Sequence, residues 1–126
     1  MENKFAENDY VSANINGDIL SIEYKPNVEI HSMIAAQIMT FLENFCQDKN
    51  YLVLEDMNNI KWIDKRSRDY FAQHPFNGKM KGWAYFSSQP IHKIMYTIYY
   101  TFSKPQGNTA FFTNKEDGLN WLLSFR

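Results

Sequence analysis

The chain has 126 residues, of which 44% are hydrophobic and 17% aromatic, and its 13 Lys and Arg nearly balance its 14 Asp and Glu. This length predicts one domain with a sizeable core, and the composition excludes a disordered chain. The formal net charge of −1 provides no basic face for nucleic acid and no polybasic segment for anionic lipid.

The start of the chain predicts a β-hairpin. Residues 1–8 are expected to be a loose or edge-pairing terminus. Polar and apolar side chains alternate over residues 10–16 and 19–24, and an Asn-Gly turn separates the two runs, which is the pattern of a hairpin. Residues 28–30 follow a proline-containing break and are expected to be a connection.

A long amphipathic helix and a buried strand are predicted next. Apolar residues recur at spacings of three and four over His31–Asp48, and Ser32 is a suitable N-cap. Residues 51–57 are apolar without alternation, which is typical of a central strand covered on both faces. Asp64–Gln73 predicts a second, shorter helix, with Asp64 as its N-cap.

The second half of the chain predicts two further strand–helix pairs. Residues 82–87 form a strand, and Ser88 caps a third helix over Ile91–Ser103. Residues 109–113 are predicted to form a fifth strand, and a final helix follows with Asn114 as its N-cap. The order β-β-α-β-α-β-α-β-α predicts an α/β fold whose mixed sheet of about five strands carries about four helices.

The junction between the third strand and the second helix resembles the STAS-domain family, whose best-known members are bacterial anti-sigma-factor antagonists. The family signature runs roughly Asp-Leu-Ser-x-Val-x-x-Ile-Asp-Ser-Ser-Gly, and Asp56–Asp64 (DMNNIKWID) keeps the character of its first nine positions. Phe111–Leu122 is similar to the ending of STAS-like proteins grouped with CRAL-TRIO lipid-binding domains. The resemblance covers most of the chain and implies a single STAS-like domain over residues 1–126, with a SpoIIAA-like fold.

The chain departs from this family at the family's phosphorylation switch. In the antagonists a partner kinase phosphorylates a serine that follows the second Asp of the signature, whereas Lys65 and Arg66 occupy those positions here. Ser67 lies one residue further along, and one residue on a helix rotates a side chain by about 100°. We therefore expect no standard serine phospho-switch, and we interpret Ser67 as an ordinary polar residue of the first helical turn.

The densest charge cluster of the sequence follows the signature and is a candidate partner-binding surface. Its arginines could bind an anion or an acidic partner, because guanidinium offers a planar set of donors. A solvated helix face is the alternative and the more common arrangement. The cluster spans Asp64–Asp69, and its candidate partner-binding residues are Asp64, Lys65, Arg66, Ser67 and Arg68.

The third helix is apolar nearly all round, so we expect its second face to be covered as well. The predicted core stripe of this helix is formed by Ile91, Ile94, Met95, Ile98 and Phe102. Three tyrosines lie largely off this stripe and are assigned to a homodimer interface first, to plain surface aromatics second and to an apolar ligand groove third. These candidates are Tyr96, Tyr99 and Tyr100.

The sequence contains no motif of an enzyme, a metal site or a cofactor site. His31, His74 and His92 share no metal-binding spacing, and the five glycines form no phosphate-binding loop. His31 and His92 lie near helix starts and are expected at surface or capping positions. Cys46 is the single cysteine, so no internal disulfide can form, and it is expected to be buried and inert.

These features predict a cytoplasmic, non-catalytic protein-interaction module without cofactors, and the family resemblance implies a regulatory role for it. No apolar run approaches the ~20 residues of a membrane span, and the polar start of the chain does not resemble a signal peptide. A homodimer is the first expected assembly, and an unidentified regulatory protein is a second partner. The rival hypothesis is a small-molecule or lipid carrier with an apolar pocket beside helix 91–103.

Overall fold

A mixed sheet with helices on both faces organises the chain in a computed structural model that describes residues 3–126. The strands of this part of the chain are β1 (Asn3–Glu7), β2 (Val11–Asn16), β3 (Ile19–Tyr24), β4 (Val28–Ile30), β5 (Leu52–Asp56), β6 (Ile60–Ile63), β7 (Gly82–Phe86) and β8 (Thr109–Phe112). The helices are α1 (Ser32–Cys46), α2 (Lys65–Gln73), α3 (Pro75–Lys79), α4 (Pro90–Ile98) and α5 (Lys115–Leu123). A single π-helical turn, Tyr99–Ser103, continues α4.

The main sheet has the strand order β1-β2-β3-β5-β7-β8, and β4 and β6 form a separate parallel pair. The strand β2 is antiparallel to both of its neighbours, β1 and β3. The strands β3, β5, β7 and β8 run parallel, and each parallel connection contains at least one helix. The predicted α/β class with a mixed sheet is therefore confirmed, and the sheet has one more strand than expected.

The predicted hairpin is confirmed, and a further strand pairs with it. Gly17 makes the turn between β2 and β3 with a φ of 64°, a left-handed conformation that glycine adopts without steric cost. Residues 3–7 form the edge strand β1, paired antiparallel with β2, so the edge-pairing alternative is right for this segment. Residues 1 and 2 lie outside the described part of the chain.

Residues 28–30 were expected to be a connection, and this expectation is wrong. They form β4, which pairs with β6 in parallel, Val28 opposite Ile60 and Ile30 opposite Ile63. Each of these two segments supplies backbone partners for the other, although they lie about thirty residues apart in the chain. A run of three or four residues is too short to show a clear period, so its sequence carries little strand signal.

Two of the four predicted helix caps are confirmed. Asp64 accepts a hydrogen bond from the N–H of the third residue after it at 2.8 Å, and Asn114 does the same at 2.9 Å. These bonds satisfy N–H groups that a helix start leaves free. The two serine caps are wrong, because Ser32 is the first residue of α1 rather than its cap, and Ser88 precedes the N-cap of α4 by one residue.

The larger core lies between the sheet and the helices α1 to α4. Cys46 is buried there as predicted, and burial raises the pKa of its thiol to about 11, which makes it a poor nucleophile. The smaller core lies on the opposite face, where α5 packs on β5, β7 and β8. None of the helices within residues 3–126 combines the length and the apolarity needed to cross a membrane.

Candidate functional site

A cavity of about 60 Å3 lies inside the larger core, between the sheet and the covering helices. At about 15 Å3 for each water-sized sphere, this space holds roughly four waters or one small organic molecule. Strands β3, β5 and β7 form one side of it, and α1, α2 and α4 form the other. Its polar and aromatic lining includes Tyr24, Glu55, Arg68, Asn77, Trp83 and Tyr99.

Glu55 places a carboxyl group in the middle of the sheet. It lies on β5 between Ile22 of β3 and Tyr85 of β7. Its Oε2 accepts a hydrogen bond from the hydroxyl of Tyr24 at 2.9 Å, and its Oε1 accepts one from the indole N–H of Trp83 at 3.1 Å. Burial raises the pKa of Glu55 to about 7, although both hydrogen bonds oppose this shift. Both protonation states are therefore populated near neutral pH.

Strand geometry explains why these polar groups meet. Because side chains alternate along β5, Glu55 lies on the sheet face of the larger core, whereas Leu54 lies on the opposite face, under α5. Tyr24 and Trp83 each lie two residues along from the direct partners of Glu55, so they are its diagonal neighbours. Glu55 was not among the residues predicted to form a functional site. The available signal was an acid that directly follows an apolar run in a strand predicted to be covered on both faces.

The candidate tyrosines of α4 occupy three different environments. Tyr99 is buried, and its hydroxyl accepts a hydrogen bond from Asn77 Nδ2 at 3.3 Å. Tyr96 is half-buried, and its hydroxyl lies 2.6 Å from Thr109 Oγ1. Tyr100 is exposed. The first two line the cavity, so the structure places them at the predicted ligand position and not at the preferred outer interface.

The predicted core stripe of α4 is wrong, because most of its residues face outward. The exposed fractions are 49% for Ile91, 55% for Ile94, 37% for Ile98 and 74% for Phe102. Spacings of three, four and four residues place these side chains on one side of the helix. Tyr99, and in part Tyr96, take their place in the core, where the rings pack and the hydroxyls have hydrogen-bond partners. We call these four residues the α4 apolar face.

The charge cluster at the start of α2 is divided between surface and interior. Lys65 and Arg66 are exposed, so a partner could reach them. Ser67 is completely buried, and its Oγ has no hydrogen-bond partner. Its assignment to a partner-binding surface is therefore wrong, and a kinase cannot reach its hydroxyl in this conformation.

Arg68 also turns inward and lines the cavity. Its Nη1 donates a hydrogen bond to the carbonyl oxygen of Ile63 at 2.9 Å. Its Nε is buried and has no hydrogen-bond partner. The assignment of Arg68 to an outer binding surface is thus corrected: this guanidinium group belongs to the cavity.

A second polar cluster lies at the carboxyl ends of β5 and β7. The Oγ of Ser87 lies 2.7 Å from His92 Nδ1, and His92 Nε2 lies 2.7 Å from the carbonyl oxygen of Ile60, to which it donates. His92 is buried, so its expected surface position is wrong. A Ser–His pair can form a nucleophile, but Ser87 is also buried and its Oγ accepts the N–H of Gln89. The geometry supports a structural role, in which the hydrogen bonds of His92 connect α4 to the strands.

Residues 3–126 bring together no three His, Cys, Asp or Glu side chains that could hold a metal ion. The candidate features of the described chain are therefore the cavity around Glu55, the α4 apolar face and the two exposed cations of α2.

Comparison with known proteins identifies a family and a fold. A family model described as a domain of unknown function, DUF7793, matches residues 13–126. A solved structure of an uncharacterised DUF3478-family protein with a SpoIIAA-like fold, from Shewanella loihica PV-4, is 18% identical, with a TM-score of 0.60. The match covers 97% of this chain and 96% of that one. The chain therefore has a SpoIIAA-like fold, which confirms the STAS-like resemblance.

The remaining comparisons with known proteins give no information about function. A protein of unknown function from Arthrobacter sp. FB24 is 21% identical, and the match covers 88% of this chain and 97% of that one, but its TM-score is only 0.33. No curated protein matches the chain.

Proposed function

We propose that this chain, which belongs to the DUF7793 family of unknown function, is a non-catalytic interaction module that forms a homodimer through its α4 apolar face. The single observation that carries this proposal is the row of four large, exposed apolar side chains on one helix. Contiguous apolar surface on a soluble domain commonly marks an interaction site. A regulatory role in the cytoplasm is the corresponding hypothesis for its biological use.

A second copy of the same chain is the partner that this face fits best. Residues 90–103 contain one formally charged side chain, Lys93, so the helix offers little for an oppositely charged partner to recognise. Apolar residues at positions i, i+3, i+7 and i+11 form a seam that can pack on an identical seam. A two-fold axis across the helix would make the contact self-complementary and closed.

A non-catalytic role agrees with the state of the reactive side chains. Ser87 and His92 are buried and engaged in hydrogen bonds, and Cys46 is buried with a raised pKa. Catalysis by a nucleophile requires that the group be activated and accessible to a substrate. None of these three residues meets the second condition in this conformation.

The position of the cavity supports the carrier hypothesis, but the volume of the cavity does not. The cavity lies beside α4 and is lined by Met95, Tyr96 and Tyr99, where the apolar pocket was predicted. Ligand pockets usually have volumes of roughly 300–1,000 Å3, whereas this cavity has about 60 Å3. A lipid chain does not fit such a space, so we do not propose lipid transport.

Ile94→Glu is expected to dissociate the homodimer. A carboxylate would be desolvated at the centre of the contact without a partner, which we expect to raise the dimer dissociation constant by roughly 100-fold. Sedimentation velocity over a range of protein concentrations measures this change. Thr97→Glu is the matched control, because it adds the same charge to an exposed position of α4 outside the apolar face.

Comparison of the wild type with these two variants tests whether the α4 apolar face forms the dimer. A dimeric wild type, a monomeric Ile94→Glu variant and a dimeric Thr97→Glu variant support the proposal. A wild type that stays monomeric at every concentration contradicts it, as does equal dissociation by both substitutions.

A further inference from the structure

We propose that the cavity is a binding site for a small zwitterion of the amino-acid class, whose ammonium group contacts Glu55 and whose carboxylate contacts Arg68. The site is separate from the α4 apolar face, so this inference does not depend on homodimer formation. It is based on the buried carboxyl group of Glu55 and the partly buried guanidinium group of Arg68, which line the same space without forming an ion pair with each other.

Glu55 has capacity for a further donor. Buried carboxylates are normally paired with cations, yet within residues 3–126 no cationic side chain forms an ion pair with Glu55. Its two oxygens accept one hydrogen bond each, from Tyr24 and Trp83. An ionised carboxylate has about four acceptor positions. An ammonium group in the cavity would therefore find an anionic partner with open positions.

Arg68 has a donor without a partner, which complements the open acceptor positions of Glu55. Its Nη1 is bound to a backbone carbonyl, but its Nε is buried without any hydrogen-bond partner. Buried donors are nearly always paired, and an orphaned donor on a guanidinium group is a place for an anionic acceptor. A carboxylate is the acceptor that Arg geometry matches best.

Only a ligand with both charges satisfies both residues. Glu55 belongs to the sheet and Arg68 to α2, and no ion pair joins them among the described residues. The positive charge of Arg68 would repel a simple amine, and the negative charge of Glu55 would repel a simple carboxylate. The indole and phenol rings around Glu55 add favourable surfaces for an ammonium group.

Size and helix geometry agree with this ligand class. A cavity of about 60 Å3 suits a molecule of the size of glycine, alanine or β-alanine. Tyr99, another lining residue, begins a π-helical turn, and single π turns occur frequently at functional sites. In this chain the turn directs Tyr99 and Ser103 inward.

The indole N–H of Trp83 is a direct reporter, because it donates to Glu55. In a 15N-labelled full-length chain, its resonance is assigned with the Trp83→Phe variant. Glycine, L-alanine and β-alanine are the zwitterionic probes, and methylammonium, acetate and acetamide are the single-charge and neutral controls. We expect a saturable shift of this resonance with at least one zwitterion and no saturable shift with the three controls.

Substitutions at both ends of the site complete the experiment. Glu55→Gln and Arg68→Gln are each expected to weaken binding at least ~10-fold, whereas Arg66→Ala, which removes an exposed cation of the same helix, leaves it unchanged. Arg68→Lys keeps the charge but lacks the Nε–H, and it serves if Arg68→Gln does not fold. The inference is overturned if no zwitterion gives a saturable shift, or if methylammonium or acetate binds as tightly as the zwitterions.

Discussion

Raising the pH from about 4.5 to about 7 is expected to lower the free energy of unfolding by about 3 kcal/mol through Glu55 alone. Over this interval the folded state keeps the proton, because burial disfavours the charged carboxylate. The unfolded state has already released it, so each step up in pH favours unfolding. Above the folded-state pKa the loss is complete and stays constant. The acid thus destabilises the folded protein at neutral pH.

Several groups around Glu55 shape this titration. The negative charge of Asp56 raises its pKa further, and the hydrogen bonds from Tyr24 and Trp83 lower it. Burial raises the pKa of Tyr85 well above its ordinary range, so this hydroxyl stays neutral. Arg68, on the facing helix, is the one cation that lines the cavity within residues 3–126.

Urea unfolding of the wild type and Glu55→Gln across this pH interval measures the effect. The glutamine side chain imitates the protonated acid, so the difference in stability between the two proteins should change by about 3 kcal/mol from the acidic to the neutral end. Glu23→Gln, at an exposed acid on β3, is the control and should leave the pH dependence of the wild type in place. Parallel curves for wild type and Glu55→Gln would show that Glu55 does not titrate in this range.

Leu122→Ala is expected to destabilise the protein by about 3 kcal/mol, within the ~2–5 kcal/mol range of buried Leu→Ala substitutions. Leu122 is completely buried and packs with Leu52, Leu54 and Ala84 in the smaller core. Within residues 3–126, α5 is the helix that covers this face of the sheet. The cavity left by the substitution therefore has few neighbours that could move to fill it.

Leu123→Ala is the matched control for this prediction. It removes the same atoms from the next position of α5, but Leu123 is partly exposed and lies outside the smaller core. Helix propensity changes equally in the two variants, so the difference between them isolates packing. Urea denaturation should give a loss below about 1 kcal/mol for Leu123→Ala. Equal losses would mean that α5 does not pack on the sheet as described.

Much of the fold was predictable because its signals are local. The alternation around Gly17 depends on neighbouring residues alone, and so do the caps at Asp64 and Asn114. The same holds for the order of strands and helices, from which the connection rules predict a largely parallel sheet. The family-like signature Asp56–Asp64 added the fold type.

The candidate site was not predictable, because its contacts join distant segments. The hydrogen-bond partners of Glu55 lie 31 and 28 residues away in the chain, and only the strand register brings them together. Residues 91–103 carry two apolar sides, and the choice between them was decided by partners such as Thr109 and Asn77. Likewise, periodicity alone cannot tell that Arg68 turns inward while Arg66 stays outside.

If the α4 apolar face joins two copies of the chain, its side chains must contact each other across the dimer. The direct measurement is an isotope-filtered NOE experiment on a mixture of methyl-labelled and unlabelled protein, in which cross-peaks arise only between different copies. We expect intermolecular cross-peaks to the methyl groups of Ile91, Ile94 and Ile98, and none to the core residues Ile22 and Ile38. No intermolecular cross-peaks in a concentrated sample, or cross-peaks confined to another surface, would contradict it.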